Sequence, residues 1–422
     1  MNQPHRKVSV GTCVMLVLTL LVVIGTTMVL LRLSSGNQID RSAARGYEGA
    51  LSGESGKTSA SQNGKSGKER NQNLLSASAT SPSDTQAGSS RHFTLTVAGT
   101  VAVEYDILKN SYLSDVKTYD ISDILTLLRS EIRSDVNIVF LENLLMSSKT
   151  DKNIVAPPAV ASMIRNAGFN MVACGFTNMW RQKEQGITET RQILSDTGIE
   201  VLGIVDPEVD HNVRVTSYGG IRTAILHYST TMGKNDRKNA TSSGTVPPAD
   251  AESIASDIAD ARTQGADLVI VLMNWGNKGK NPDKDQKKLA QQIADSGADL
   301  IIGNGSRMPQ QAEYLSGSRG QVLCIWSLGV LLTAERKNNK QMAGYLFRTE
   351  FMMDSAGNIQ MFSPSYTPLY TWMYKQDGRY YYRCLAANRQ MPDGMENEQK
   401  KKLEQVANIT REALKESPLL ER

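Results

Sequence analysis

The chain of 422 residues carries 47 Lys and Arg against 43 Asp and Glu, a formal charge of +4, and 40% of it is hydrophobic. That is enough apolar content for one large globular domain with appendages. The basic excess is small and scattered, and no Lys/Arg block is interleaved with aromatics, so the composition gives no support for a nucleic-acid partner.

From Val8 to Leu31 no residue is charged, and the run is long enough to cross a bilayer as a helix. A cleaved signal peptide would have a shorter apolar core and a small-x-small cleavage site, and neither is present. Residues 1–33 are therefore expected to be a cytoplasmic stub and a transmembrane anchor. His5, Arg6 and Lys7 precede the run and Arg32, Arg41 and Arg45 follow it, so local charge leaves the orientation open. Residues 34–91 are dominated by Ser, Gly, Asn, Gln, Ala and Thr. Such a segment buries too little apolar surface to offset chain entropy and is expected to be a disordered tether. Residues 92–390 are expected to form the main domain, and 391–422 a charged, helical tail.

Within the domain, Phe93–Ala98 alternates apolar and polar residues and reads as a strand ending in Gly99-Thr100. Ile121, Ile124, Leu125, Leu128 and Ile132 recur at helical spacing and predict an amphipathic helix. Asn137–Leu141 is the next strand. Pro157-Pro158 opens a helix that Gly168 stops. Phe169–Cys174 is a strand, followed by a helix containing Gly186 and Ile187. Ile199–Ile204, Val213–Ser217 and Ile221–Tyr228 read as strands, with a tight turn at Gly219-Gly220. Asn235–Pro248 is polar and loop-like, and Ala249–Gln264 is a helix. Gln321–Trp326, Ala343–Met353 and Asn358–Ser363 complete the strands.

The stretch from Asp267 to Arg307 organises the rest. Leu268–Met273 and Asp299–Ile302 are short apolar runs flanking a segment of helical period, the pattern of two buried parallel strands joined by a crossover helix. Ligands of such units sit beyond the carboxyl ends of the strands, here Asn274-Trp275-Gly276 and Gly303-Asn304-Gly305-Ser306-Arg307. The alternation of elements predicts a layered α/β domain with mixed sheets.

These motifs resemble the CapA, or poly-γ-glutamate capsule biosynthesis, family, which has a calcineurin-like metallophosphatase fold. The family's first strand ends in Gly-Asp, where this chain has Gly99-Thr100. The family's Asn-Leu-Glu becomes Asn143-Leu144-Leu145, and its Asn-Asn-His ends here in Asn178-Met179. Its His-Trp-Gly becomes Asn274-Trp275-Gly276, and its Gly-His-His-Pro-His becomes Gly303 to Arg307. Ser327-Leu328-Gly329 retains the family's Ser-Leu-Gly. The resemblance covers about His92 to Ala387. It implies a pair of metals, but Thr100, Leu145, Met179, Asn274, Asn304 and Arg307 stand at the ligand positions. Divalent cations need carboxylate or imidazole donors, and amides and thioethers are poor substitutes. Glu142 does not replace the missing Glu if extended alternation continues past the strand, because a shift by an odd number of residues, here three, turns the side chain to the other face.

Only His5, His92, His211 and His227 are present, and none falls in a motif. Cys174, Cys324 and Cys384 offer a possible disulfide of unassigned pairing. Arg307, near Lys278 and Lys280, reads either as an anion-gripping residue or as a solvated rim. Thr100, Asn143, Asn178, Asn274, Trp275, Asn304, Ser306 and Arg307 are the candidate cleft residues, with no catalytic residue, metal or cofactor expected. The resemblance implies a membrane-anchored, extracytoplasmic protein that binds, retains or exports an anionic envelope polymer such as poly-γ-glutamate, or works with its synthesis and export machinery. The competing reading is a hydrolase or transferase with a remodelled site, for which Glu104, Asp106 and Glu142 are the nearby carboxylates.

Overall fold

The computed structural model describes residues 91–148, 154–205 and 212–422. The expected anchor and tether lie outside the described residues. The chain opens with β1 (Arg91–Val101), α1 (Tyr105–Ser111), the hairpin β2–β3 (Tyr112–Leu113 and Thr118–Tyr119) and β4 (Val136–Leu141). It continues through β5 (Leu144–Leu145), β6 (Val155–Ala156), α2 (Ala159–Ala167), β7 (Met171–Cys174), α3 (Lys183–Asp196) and β8 (Glu200–Leu202). Next come β9 (Val215–Tyr218), β10 (Ile221–Ser229), α4 (Lys234–Ser242), α5 (Ala251–Thr263), β11 (Leu268–Asn274), α6 (Lys284–Asp295) and β12 (Leu300–Asn304). The last elements are β13 (Ala312–Gly317), β14 (Gly320–Ile325), β15 (Val330–Leu332), β16 (Ala343–Met353), β17 (Ile359–Gln376), β18 (Arg379–Ala386), α7 (Asn397–Leu414) and β19 (Leu420–Glu421).

Two mixed sheets result. One has the order β18-β17-β16-β1-β4-β7-β8, with β15 beside β1 and β19 beside β17; the other runs β13-β14-β12-β11-β10-β9. The period of two along β11 shows how the layers form. Leu268, Ile270 and Leu272 point between the sheets, against Leu95, Ile138 and Phe347. Val269, Val271 and Met273 point outward, against Ile254 and Ile258 of α5 and Ile293 of α6. On the outer face of the first sheet, Val139 and Val172 pack with Val160 and Ile164 of α2. The architecture is thus helix, sheet, sheet, helix, as the layered α/β expectation required.

Register brings Ser229, Asn274 and Asn304 side by side at the carboxyl edge of the second sheet. On the first sheet a bulge at Gly99 breaks the pairing of β1 with β4 just before Thr100. Bulges re-aim side chains next to sites. A Cβ on Gly99 would lie 2.3 Å from the Gly329 carbonyl oxygen, so only glycine permits this close approach.

Three local expectations are corrected. The Ile121–Ile132 segment is not an α-helix but a set of turns around one 3-10 turn, Thr126–Leu128. All five of its spaced apolar residues are buried, but the Ile124 carbonyl accepts from the Cys384 N–H at 2.7 Å, and Leu128 N–H turns back to Leu125. The segment satisfies its backbone across the fold instead of along a helix. The polar Asn235–Pro248 stretch contains α4, whose single buried residue, Ala240, leaves no apolar period to read. The C-terminal segment is not a peripheral tail. Leu403, Val406 and Ala407 of α7 pack against Tyr370, Trp372 and Leu385, and β19 pairs with β17.

Candidate functional site

The carboxyl ends of the parallel strands open onto a cleft of about 650 Å³, whose walls include Glu142, Asn178, Trp275, Lys278 and Arg307. From Glu142 and Arg307 of its wall a chain of polar contacts links both sheets, with Thr100 and Asn304 buried and outside the cleft lining. Asn304 Nδ2 donates to Thr100 Oγ1 at 2.7 Å, and Thr100 donates to Glu142 at 3.2 Å. Arg307 Nε donates to Glu142 at 2.5 Å and Nη1 to Glu104 at 2.7 Å. Glu104 also accepts from Thr333 Oγ1 at 3.0 Å and from the Ala334 N–H at 2.6 Å. The Arg307 side chain is only 17% exposed. Burial works against its charge, but Glu142 and Glu104 outweigh that, so the guanidinium is held even more firmly protonated than usual. Arg307 also adopts the left-handed conformation with φ 54°, uncommon for a side-chain-bearing residue and a mark of backbone strain at a site. It is therefore neither a solvated rim nor an open anion grip: it grips the protein's own carboxylates.

Glu142 belongs to the site, while Leu145, at the position of the family's Glu, lies in the apolar core. β4 ends at Leu141, and the chain is no longer extended strand at Glu142, so the two-residue period does not carry over.

The remaining candidates divide. Trp275 donates its Nε1–H to the Trp326 carbonyl at 3.0 Å and forms a wall of the cleft. Asn178 is exposed at the cleft mouth. Asn143, Asn274 and Ser306 are buried and position loops. Asn143 takes the Val103 N–H at 2.8 Å and returns Nδ2 to the Val103 carbonyl at 3.2 Å. Asn274 donates to Thr231 at 3.2 Å, and Ser306 donates to the Met308 carbonyl at 3.0 Å. Sequence reading did not mark Thr230, Thr231, Asp283, Asp285 or Gln286 of the cleft, whose side chains come from loops and a helix start. No spacing rule ties those to the strand ends.

Among the described residues no cysteines pair. Cys174, Cys324 and Cys384 are buried free thiols, and burial pushes Cys174 and Cys384 up to about 12. Such thiols are poor nucleophiles.

The sequence profile described as "Bacterial capsule synthesis protein PGA_cap" matches residues 94–334, more than half of the chain. The chain belongs to the bacterial capsule synthesis family. Among its relatives, "Capsule biosynthesis protein CapA" of Bacillus anthracis is 26% identical over 197 residues, 45% of this chain and 47% of that protein. "PGA biosynthesis protein CapA" of Bacillus subtilis is 27% identical over 148 residues, 34% of this chain and 37% of that protein. The chain thus spans about half the length, or less, of these curated relatives. Solved structures that align include a 5'-nucleotidase precursor of Thermus thermophilus, with 13% identity and TM-score 0.41, covering 76% of this chain and 58% of that one. A calcineurin-like phosphoesterase of Bacillus subtilis aligns with 10% identity and TM-score 0.34, covering 76% and 98%.

The residues at the strand ends do not fit the metal pair that the capsule-family resemblance implies. Leu145 and Met179 are wholly buried in the apolar core. Gly305 stands where a His would, at φ 114°, and a Cβ there would lie 2.5 Å from the Trp275 carbonyl oxygen. Glu142 of the cleft wall and Glu104 beside it already hold a cation, the Arg307 guanidinium. Among the described residues no group of three or more His, Cys, Asp or Glu side chains is arranged to hold a metal ion.

Proposed function

We propose that this member of the capsule synthesis family is a non-catalytic, membrane-anchored, extracytoplasmic protein that binds, retains or helps export an anionic envelope polymer such as poly-γ-glutamate. The observation that carries the non-catalytic part is Arg307: an internal guanidinium bridges Glu104 and Glu142 where the family pattern ends in a metal-binding imidazole. A divalent cation polarises a phosphate and lowers the pKa of a bound water. A guanidinium is always protonated, and this one's donors face its own carboxylates, so it supplies neither a nucleophile nor a Lewis acid. The polymer part is supported by family membership and by the capsule-biosynthesis and PGA-biosynthesis names of the relatives. The apolar run from Val8 to Leu31 supports the anchor.

The test uses the full chain in detergent, offered poly-γ-glutamate and, separately, a phosphoester with Mn²⁺ or Zn²⁺. Saturable polymer binding without turnover of either substrate is expected. Metal-dependent cleavage of the phosphoester or the polymer would replace this reading with that of a remodelled hydrolase.

A further inference from the structure

Arg307 and Glu142 of the strand-end cleft are already bonded to each other. The wall made by Thr230, Thr231, Gly276 to Lys278 and the start of α6 differs, because much of its hydrogen-bonding capacity has no protein partner. That wall lies wholly within the described residues.

Gln286 is its most constrained member. It is only 7% exposed and lines the cleft from the first turn of α6. Its Oε1 accepts from the Asp283 N–H at 3.2 Å, and the Asp283 carboxylate accepts from the Gln286 N–H at 2.9 Å. This reciprocal capping box fixes which way the carboxamide faces. With Oε1 turned to the backbone, Nε2 is the remaining end, and it meets no acceptor among the described residues. The carboxamide stands against Gly276, which also lines the cleft at φ 77°; a Cβ there would lie 2.8 Å from Nε2. Glycine at that position is what leaves room for the amide. A nearly buried donor without an acceptor is costly unless something entering the cleft supplies one.

The groups around Nε2 are of both kinds. Asn277 and Asp285 are exposed, and neither side chain is bonded to another described residue. Thr230 adds a hydroxyl, while Phe176 and Leu289 supply apolar lining. Charge on this side is mixed: Lys278, Lys280 and Lys284 alternate along the chain with Asp283 and Asp285, all of them exposed. A polyelectrolyte of either sign therefore meets like charge there.

We infer that this wall is a subsite for a neutral, hydroxyl-rich ligand, a sugar unit of a neutral glycan, and not for the anionic polymer. A sugar hydroxyl both donates and accepts, so it needs donors and acceptors side by side. Gln286 Nε2 and the Asn277 amide are the donors; the Asp285 carboxylate and the Thr230 hydroxyl are the acceptors. The C–H face of the ring lies on Phe176 and Leu289. The cleft volume of about 650 Å³ accommodates such a unit with its neighbours in a chain.

The inference goes beyond the polymer reading and does not depend on it. The full chain, in a detergent without a sugar headgroup, is titrated calorimetrically with chitotetraose and with maltotetraose, and then again in the presence of poly-γ-glutamate. Saturable binding of at least one of these neutral oligosaccharides, undiminished by poly-γ-glutamate, is expected. Gln286→Glu keeps the acceptor for the Asp283 N–H, and so the capping box, but removes the donor. It is expected to weaken sugar binding by about tenfold with an unchanged melting curve. Asn277→Ala and Asp285→Asn are each expected to weaken it a few-fold, whereas Lys288→Gln, on the same helix but outside the cleft lining, leaves it unchanged. Equal affinity in the wild type, Gln286→Glu and Asn277→Ala would overturn the subsite. Displacement of the sugar by poly-γ-glutamate would assign the wall to the polymer and overturn it too. Binding of poly-γ-glutamate without either sugar would overturn the inference and leave the polymer reading standing; binding of a sugar without the polymer would do the reverse.

Discussion

The two halves of the strand-end region have departed from the family pattern in different physical ways. Around Thr100, Asn304 and Arg307 the replacements are polar, and they remain tied together: amide to hydroxyl, hydroxyl to carboxylate, carboxylate to guanidinium. Around Leu145 and Met179 the replacements are apolar, and they have passed into the core beside Ile187, Leu194 and Val172. The polar half keeps the electrostatic outline of a cation site and fills it with a side chain. The apolar half has exchanged that outline for packing. A ligand shell shared between the halves therefore cannot be recovered by changes in the polar half alone, because Leu145 and Met179 are fully buried among apolar side chains.

The largest expected effect breaks the comparison on its apolar side. Leu145→Glu places a carboxylate at a fully buried position whose backbone N–H is already satisfied by Thr190 Oγ1 at 2.9 Å. It should cost on the order of 4 kcal/mol or more, read as a fall in denaturation midpoint. Near-wild-type stability would mean that this half is still open to solvent or to an ion.

On the polar side, Arg307→Met removes the internal cation and leaves Glu104 and Glu142 facing each other. Breaking a largely buried pair in this way costs about 3–5 kcal/mol, so urea melts should show a clear loss of stability. That loss should shrink in the double change Arg307→Met with Glu142→Gln, which removes one of the stranded charges. An undiminished loss would assign Arg307 a packing role only.

The buried imidazole sharpens the contrast further. His227 lies between the sheets in an edge-to-face contact with Phe140, at ring centroids 5.6 Å apart, and outside the cleft lining. Burial holds its pKa down, from 6.5 to about 4. The imidazole is therefore neutral in the fold, while the unfolded chain takes up the proton first. The stability linked to this group is full above pH 6.5 and falls as pH drops from 6.5 towards 4. The shift of 6.5 to about 4 corresponds to a loss of about 3 kcal/mol across that window. Melts recorded from pH 7 to pH 4 should show this slope in the wild type and a flatter one in His227→Leu; equal slopes would refute the assignment. The smallest effect is expected for Asn304→Ala, which removes the link to Thr100 at the cost of about 1–2 kcal/mol.

Which parts of this were legible in the sequence follows from the range of the interactions. The unit β11–α6–β12 was legible because its information is local: a continuous apolar run, a segment of helical period and a second apolar run. The position of Asn274 beside Asn304 followed from parallel pairing alone. The partners of Arg307 were not legible. Glu142 and Glu104 lie 165 and 203 residues away in the chain, and no spacing rule reaches that far. Glu142 and Leu145 do face different surroundings, the cleft and the apolar core, but that it is the Leu145 side that is buried could not be read from alternation. The Ile121–Ile132 error has the same root, since helical spacing reports which residues are buried and not where their carbonyls find donors.

The central claim is that Arg307 supplies the one positive charge the strand ends are built to hold. The most direct measurement is the melting temperature of the full chain with EDTA, and then with Mn²⁺ or Zn²⁺ added back, alongside calorimetric titration of the same ions. An unchanged melting temperature and no stoichiometric heat of binding are predicted. A fall in melting temperature on chelation, restored by one or two equivalents of metal, would contradict the account.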